Sequence, residues 1–200
     1  MPETEKPAPG VLSNAGFIAW GLYGVLIIAG HPTAAVCVGL AAMIALVTRE
    51  NRYGALKIID CTSLSFFALA LLTIVTTGRD LFSNYRFIAA WGIFAAVAWA
   101  TLLAGFPFTL QYARERAPRE VWNARPFITM NMIMTTVWTL IFTLDTLLAI
   151  LARRGHYVLT LDAVIPAVTM VLGYAFNRFY PEHFRKRFNL PSANRSAALS

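Results

Sequence analysis

Three carboxylates lie inside long apolar runs: Asp60 within Ala55 to Gly78, Asp145 within Ile128 to Ala152, and Asp162 within Val158 to Phe179. A charge within a membrane helix costs about 2.5 to 3.5 kcal/mol on insertion scales, so each of these residues asks for a role. Asn131, Thr135, Phe142 and Asp145 share one helical face, as do Asp162, Pro166, Thr169 and Gly173. Facing each other, the two stripes would line a narrow polar path of the kind a small transporter or channel needs. The structural alternative is simpler. Arg153 and Arg154 lie in the loop between Asp145 and Asp162, where ion pairing would offset the burial cost, and threonines on membrane helices commonly bond their own backbone. Asp60 has Lys57 three residues earlier, which points to an i, i+3 pair with the lysine reaching towards the interface.

A second group of residues is basic and aromatic. The connection AGFPFTLQYARERAPREVWNARPF, from Ala104 to Phe127, carries Arg114, Arg116, Arg119 and Arg125 against Glu115 and Glu120, and is punctuated by Pro107, Pro118 and Pro126. A helix can run on from Phe108 until Pro118 stops it. Phe106, Phe108, Tyr112, Trp122 and Phe127 supply the aromatics that favour a membrane interface. The tail FNRFYPEHFRKRFNLP repeats this chemistry, with Phe179, Tyr180, Phe184 and Phe188 among Arg178, Arg185, Lys186 and Arg187. Such segments either hug the membrane as connectors or dock anionic lipid headgroups or a protein partner. The docking candidates are Arg114, Arg116, Arg119, Trp122, Arg125, Arg185, Lys186 and Arg187.

Signs of catalysis are missing. The histidines, His31, His156 and His183, are scattered. No grouping of His, Cys or carboxylates has metal-ligand spacing, and no phosphate loop, nucleophile elbow or catalytic dyad occurs. No cofactor is therefore expected, and a membrane enzyme ranks below a scaffold or a transporter.

The elements that position these residues follow from composition. Of 200 residues, 58% are hydrophobic and 14% charged, with a mean hydropathy of +0.58, far from the quarter or so of charged residues in soluble domains. The net charge of +7 does not indicate nucleic acid, because the basic residues flank apolar runs instead of covering a soluble face. Apolar runs at 11–30, 33–48, 55–78, 87–108, 128–152 and 158–179 predict an all-α membrane bundle of six spans, with 33–48 short enough to leave five as the alternative. The runs lack the alternation of a membrane β-barrel. Residues 1–10 read as a disordered tail and a poor cleavable signal, 109–127 as a connector, and 181–200 as a basic tail. Cys37 and Cys61 fall at different depths and are expected to stay free thiols.

Six spans place Lys6, Arg49, Arg52, Lys57, Arg114, Arg116, Arg119, Arg125, Arg178, Arg185, Lys186, Arg187 and Arg195 on one side. Only Arg79, Arg86, Arg153 and Arg154 fall on the other. Because lysine and arginine collect on the cytoplasmic side, this predicts that both termini are cytoplasmic.

The order of these segments resembles a known family. A charge-free helical hairpin, RENRYGALK, a second hairpin turning at GRDLFSNYRFIAAW, then AGFPFTLQYARE and VWNARPFITMNMIMTTVW leading into two closing helices are similar to the bacterial intracellular septation protein A family. The resemblance covers roughly Phe17 to Val171 and departs in the connection after Tyr112 and in the basic tail. It implies a bacterial inner-membrane protein of about five spans, linked to septation and envelope maintenance, with no catalytic residues to carry over. The expectation is a structural or scaffolding role, with the bilayer and its anionic lipids, envelope or division proteins, and a second copy of the chain as candidate partners.

Overall fold

The structure is a computed structural model that describes residues 15–52, 56–78, 85–115, 117–154, 161 and 164–188. Among these the chain is all-α, with helices α1 (Ala15–Ile28), α2 (Pro32–Arg52), α3 (Ile58–Thr77), α4 (Arg86–Leu103), α5 (Thr109–Arg114), α6 (Arg125–Ala152) and α7 (Ile165–Arg187), and a 3-10 turn at Arg119–Val121.

The breaks follow local chemistry. Gly30 (φ 81°) closes α1, with the His31 N–H donating to the Leu26 carbonyl, and Pro32 then opens α2. Gly105 (φ 74°) closes α4 in the same way, with the Phe106 N–H donating to Thr101. The fourth helix therefore stops at Leu103, five residues short of the expected 108, because a left-handed glycine followed by Pro107 cannot carry it further. Conversely, α2 runs past the expected 48 to Arg52, since nothing breaks it before Gly54. Beyond the expected 179, α7 continues to Arg187 and tolerates Pro181 inside it.

Among the described residues, four helices are long and apolar enough to cross a membrane: α2 over Pro32–Arg49, and α3, α4 and α6. A shorter apolar stretch, Ile18–Ile28, makes up most of the described part of α1. Much of the outward surface is apolar, with Leu103 80%, Val75 73% and Ile28 69% exposed, as suits helices solvated by lipid.

The chain divides into two compact units, the first ending at Ala90 and the second beginning at Trp91. In the first unit, α1 and α2 form a hairpin that α3 joins. The core holds Ala19, Tyr23, Ala35, Val36, Met43, Leu46, Phe66, Phe67 and Ala70. Trp20, Tyr23, Phe66 and Phe67 form a ring cluster with centroids 4.8 to 6.3 Å apart. Gly39 lets α2 approach this cluster: a Cβ there would lie 2.5 Å from the Phe67 ring.

In the second unit, α6 runs antiparallel to both α4 and α7. Trp91 and Phe94 of α4 meet Phe142, and Trp99 Nε1 donates to Thr143 Oγ1 at 3.2 Å. Gly173 of α7 lies against Trp138 and Ile141, where a Cβ would come within 2.8 Å of the isoleucine. Gly39 and Gly173 are both points where a neighbouring helix approaches closely.

Candidate functional site

Along α6 the buried residues are Asn131, Met134, Thr135, Trp138, Thr139, Phe142, Asp145, Ala149 and Ala152, a stripe at three- and four-residue spacing. Its polar members do different things. Near the start of the helix, the Thr109 Oγ1 of α5 donates to the Asn131 carbonyl at 2.9 Å and lies 2.9 Å from Thr135 Oγ1, while the Thr109 N–H reaches Thr135 Oγ1 at 3.4 Å. α5 is thereby tied to the first turns of α6, with Pro107, Phe108, Thr109 and Leu110 buried. The head of the expected connector is thus a packed element. Asn131 Nδ2 donates to the Phe127 carbonyl at 2.8 Å, and its buried Oδ1 has no hydrogen-bond partner among the described residues.

Fourteen residues further on, roughly 21 Å along the axis, Asp145 is fully buried, and both of its carboxylate oxygens lie 3.0 Å from Thr169 Oγ1 on α7. Thr169 Oγ1 also lies 2.9 Å from the Pro166 carbonyl oxygen, and its single proton can serve only one of these acceptors at a time. Thr169 and Gly173 meet the α6 stripe, at Asp145 and Trp138. Asp162, grouped with them by spacing, lies outside the described residues. The partner of Asp145 is a hydroxyl; the expected pairing with Arg153 or Arg154 does not form, as both arginines are exposed two turns or more along the chain.

Aromatic side chains interrupt the polar members of the stripe. Phe142 stands between Thr139 and Asp145, stacked with Trp91, Phe94 and Trp138. Thr136, Thr139, Thr143 and Thr146 each donate to the carbonyl four residues back, at 2.7 to 2.8 Å. Asn131 and Asp145 therefore share a face without forming one site.

Asp60 occupies the first turn of α3 in the other unit, buried beside Thr62 and Ser63. Its Oδ1 lies 2.9 Å from where a Cβ on Gly16 would stand, which places it against α1. Trp20 Nε1 donates to Ser63 Oγ at 3.0 Å, which in turn donates to the Ile59 carbonyl at 2.9 Å. Lys57, expected to snorkel outward, is instead 2% exposed and turned into the protein three residues from Asp60. The buried lysine and aspartate, with their hydroxyl neighbours, describe a structural joint at a helix end.

The connector holds the more open chemistry. The guanidinium carbons of Arg114 and Arg119 stand over the Trp122 ring at 5.5 and 5.7 Å. Trp122 is itself fixed by its Nε1 donating to the Ala117 carbonyl at 2.9 Å, within the bend that Pro118 imposes. Neither arginine has an ion-pair partner among the described residues, and Arg114 Nε is buried without a hydrogen bond. Two cations converging on a fixed indole form a surface suited to an anion or an acidic partner. Arg116 lies outside the described residues, and Arg125 is exposed at the first position of α6. On α7, Lys186 pairs with Glu182 at 2.9 Å, Arg185 is half-buried and Arg187 is exposed.

Sequence reasoning missed three parts of this arrangement. Thr109 gave no signal, because its partners are 22 and 26 residues away. The Trp20–Ser63 bond likewise joins separate helices. The Arg114–Trp122–Arg119 cluster had the right residue types on view, but only the turn at Pro118 brings them together. Among the described residues no group of His, Cys, Asp and Glu could hold a metal, and Cys37 and Cys61 form no disulfide. Comparison with protein-family models, with curated proteins and with solved structures returns no match.

Proposed function

We propose that the chain is a multi-pass protein of the bacterial inner membrane, with six helices crossing, both termini cytoplasmic, and a non-catalytic scaffolding role in envelope maintenance or septation. The membrane reading draws on the four long apolar helices. The orientation draws on the collection of basic residues on one side. The envelope role draws on the order of segments that resembles the septation protein A family. The observation that carries the scaffolding reading is the pair Arg114 and Arg119 held over Trp122. Such a surface binds by charge and stacking and performs no reaction.

The test replaces Arg114, Arg116 and Arg119 together by alanine. Insertion into the membrane stays intact, and proteins recovered by affinity purification after cross-linking in native membranes are lost. An unchanged set of recovered proteins contradicts the reading.

One observation favours a second reading, a small transporter: a fully buried carboxylate, Asp145, whose partner is a hydroxyl on the facing helix. It requires that Asp145→Asn abolish an ion or solute flux present with the parent protein in proteoliposomes. The Phe142 stack argues against it, and a parent protein without flux removes it.

A further inference from the structure

From its midpoint to the residue that caps it, α7 carries a ladder of rings four residues apart: Phe176, Tyr180, Phe184 and Phe188, with successive centroids 4.6, 5.8 and 4.5 Å apart. A ladder on one face fixes which side chains flank it. Tyr180, His183, Phe184 and Arg187 follow the spacing of a single helical face, and that face meets Thr129 and Ile133 at the start of α6. Between the two helices lies an open cleft of about 250 Å³ lined by these residues and Phe188.

Its size and lining define its occupant. The volume falls short of the roughly 300 to 1,000 Å³ of a pocket that encloses a whole small molecule, so the cleft suits one end of a molecule whose remainder lies outside. The lining is mixed: hydroxyls from Thr129 and Tyr180, the cation of Arg187 with His183 beside it, and apolar walls from Ile133, Phe184 and Phe188. Arg187 and His183 have no ion-pair partner among the described residues, while the neighbouring Glu182 is committed to Lys186 at 2.9 Å. The cleft is therefore positive and unneutralised. Outside it α7 presents apolar surface, with Val171 66%, Leu172 62% and Phe179 68% exposed.

We infer that this cleft seats the headgroup of an anionic phospholipid, its phosphate against Arg187 and His183 and its acyl chains along the outer faces of α6 and α7. The inference rests on the membrane reading above and adds a defined lipid seat to it. Phe184, at 5% exposure, is the buried member of its lining.

The experiment uses the full chain, purified in detergent with native phospholipid washed out. It is then offered equal amounts of phosphatidylglycerol and phosphatidylcholine, and retained lipid is counted by native mass spectrometry. The parent protein retains phosphatidylglycerol at least five-fold over phosphatidylcholine. Two variants each reduce that preference to below two-fold: H183Q with R187Q, which removes the guanidinium and the imidazole, and T129W, which fills the cleft and leaves both in place. Unaltered helicity and elution volume show that both still fold. Equal retention of the two lipids by the parent overturns the inference. So does a T129W protein that keeps the preference, since charge alone would then be acting and the cleft would not be the seat. Arg114, Arg116 and Arg119 stay intact throughout, so failure here leaves the scaffolding reading to its own test.

Discussion

In the first unit the crossing of α1, α2 and α3 is filled by Trp20, Tyr23, Phe66 and Phe67, against which Gly39 brings the α2 backbone. In the second, α6 turns towards α5 and α7 a face on which Asn131, Thr135, Thr139 and Asp145 alternate with Met134, Trp138 and Phe142. Both units bury their joints completely, but one is held by shape and the other partly by direction. Rings filling a volume respond to any change of size, whereas hydroxyls aimed at an acceptor respond to the loss of one atom at constant size. Lipid is as apolar as a leucine side chain, so helices within it gain little from hydrophobic contact alone, and both devices supply what that force does not.

The comparison breaks most clearly at Phe67, which is fully buried among three other rings. Phe67→Ala leaves a cavity that these neighbours cannot fill, and the expected loss of stability is about 3 to 5 kcal/mol. Reversible unfolding in mixed micelles reads it; a loss under 1 kcal/mol would mean that shape does not hold this unit.

Thr169→Val sharpens the other half of the contrast. Size is conserved and the hydroxyl that serves Asp145 is removed, so the expected loss is about 1 to 3 kcal/mol. Asp145→Asn in the same background restores part of it, because a neutral amide tolerates burial better than an unserved carboxylate. If Thr169→Val is silent, the α6–α7 joint is held by packing at Gly173 and not by this bond.

The smallest effect belongs to the exposed end of α7. The Glu182 carboxyl is held below its ordinary value of 4.5 first by the hydrogen bond from Lys186 and then by the charge of that lysine, with Arg178 and Arg185 adding to it. A lowered acid contributes stability that is present above its ordinary value and is lost as pH falls through the lowered one. Lys186→Met moves the titration midpoint of Glu182 upward in a carboxyl NMR titration and leaves thermal stability unchanged, as suits a solvent-exposed pair. An unmoved midpoint would show that the pair does not persist in solution.

The sequence made the helical architecture legible because continuous apolar runs of membrane length admit little else. Element ends were harder. Gly105 and Pro107 stop α4 earlier than its hydrophobicity suggests, and α2 and α7 run on into charged residues because charged side chains form helix readily once one is under way. The opposed faces of Asp145 and Thr169 were visible as two stripes of matching spacing. Which partner Asp145 takes was not, because the choice between Thr169 and an arginine depends on the depth at which the helices meet. The Arg114–Trp122–Arg119 cluster and the α6–α7 cleft depend on backbone turns and helix approach that no local spacing encodes.

The central claim is that the working surface of this chain is the arginine and tryptophan cluster of the connector, while the buried polar face of α6 serves to hold the helices. A photo-cross-linking residue at Asn123, exposed beside Trp122, tests it most directly in native membranes. The account predicts a discrete adduct, to a protein or to an anionic lipid, that disappears when Arg114 and Arg119 are replaced by alanine and persists in the Asp145→Asn protein. An adduct indifferent to the arginines, or one lost with Asp145→Asn alone, would contradict it.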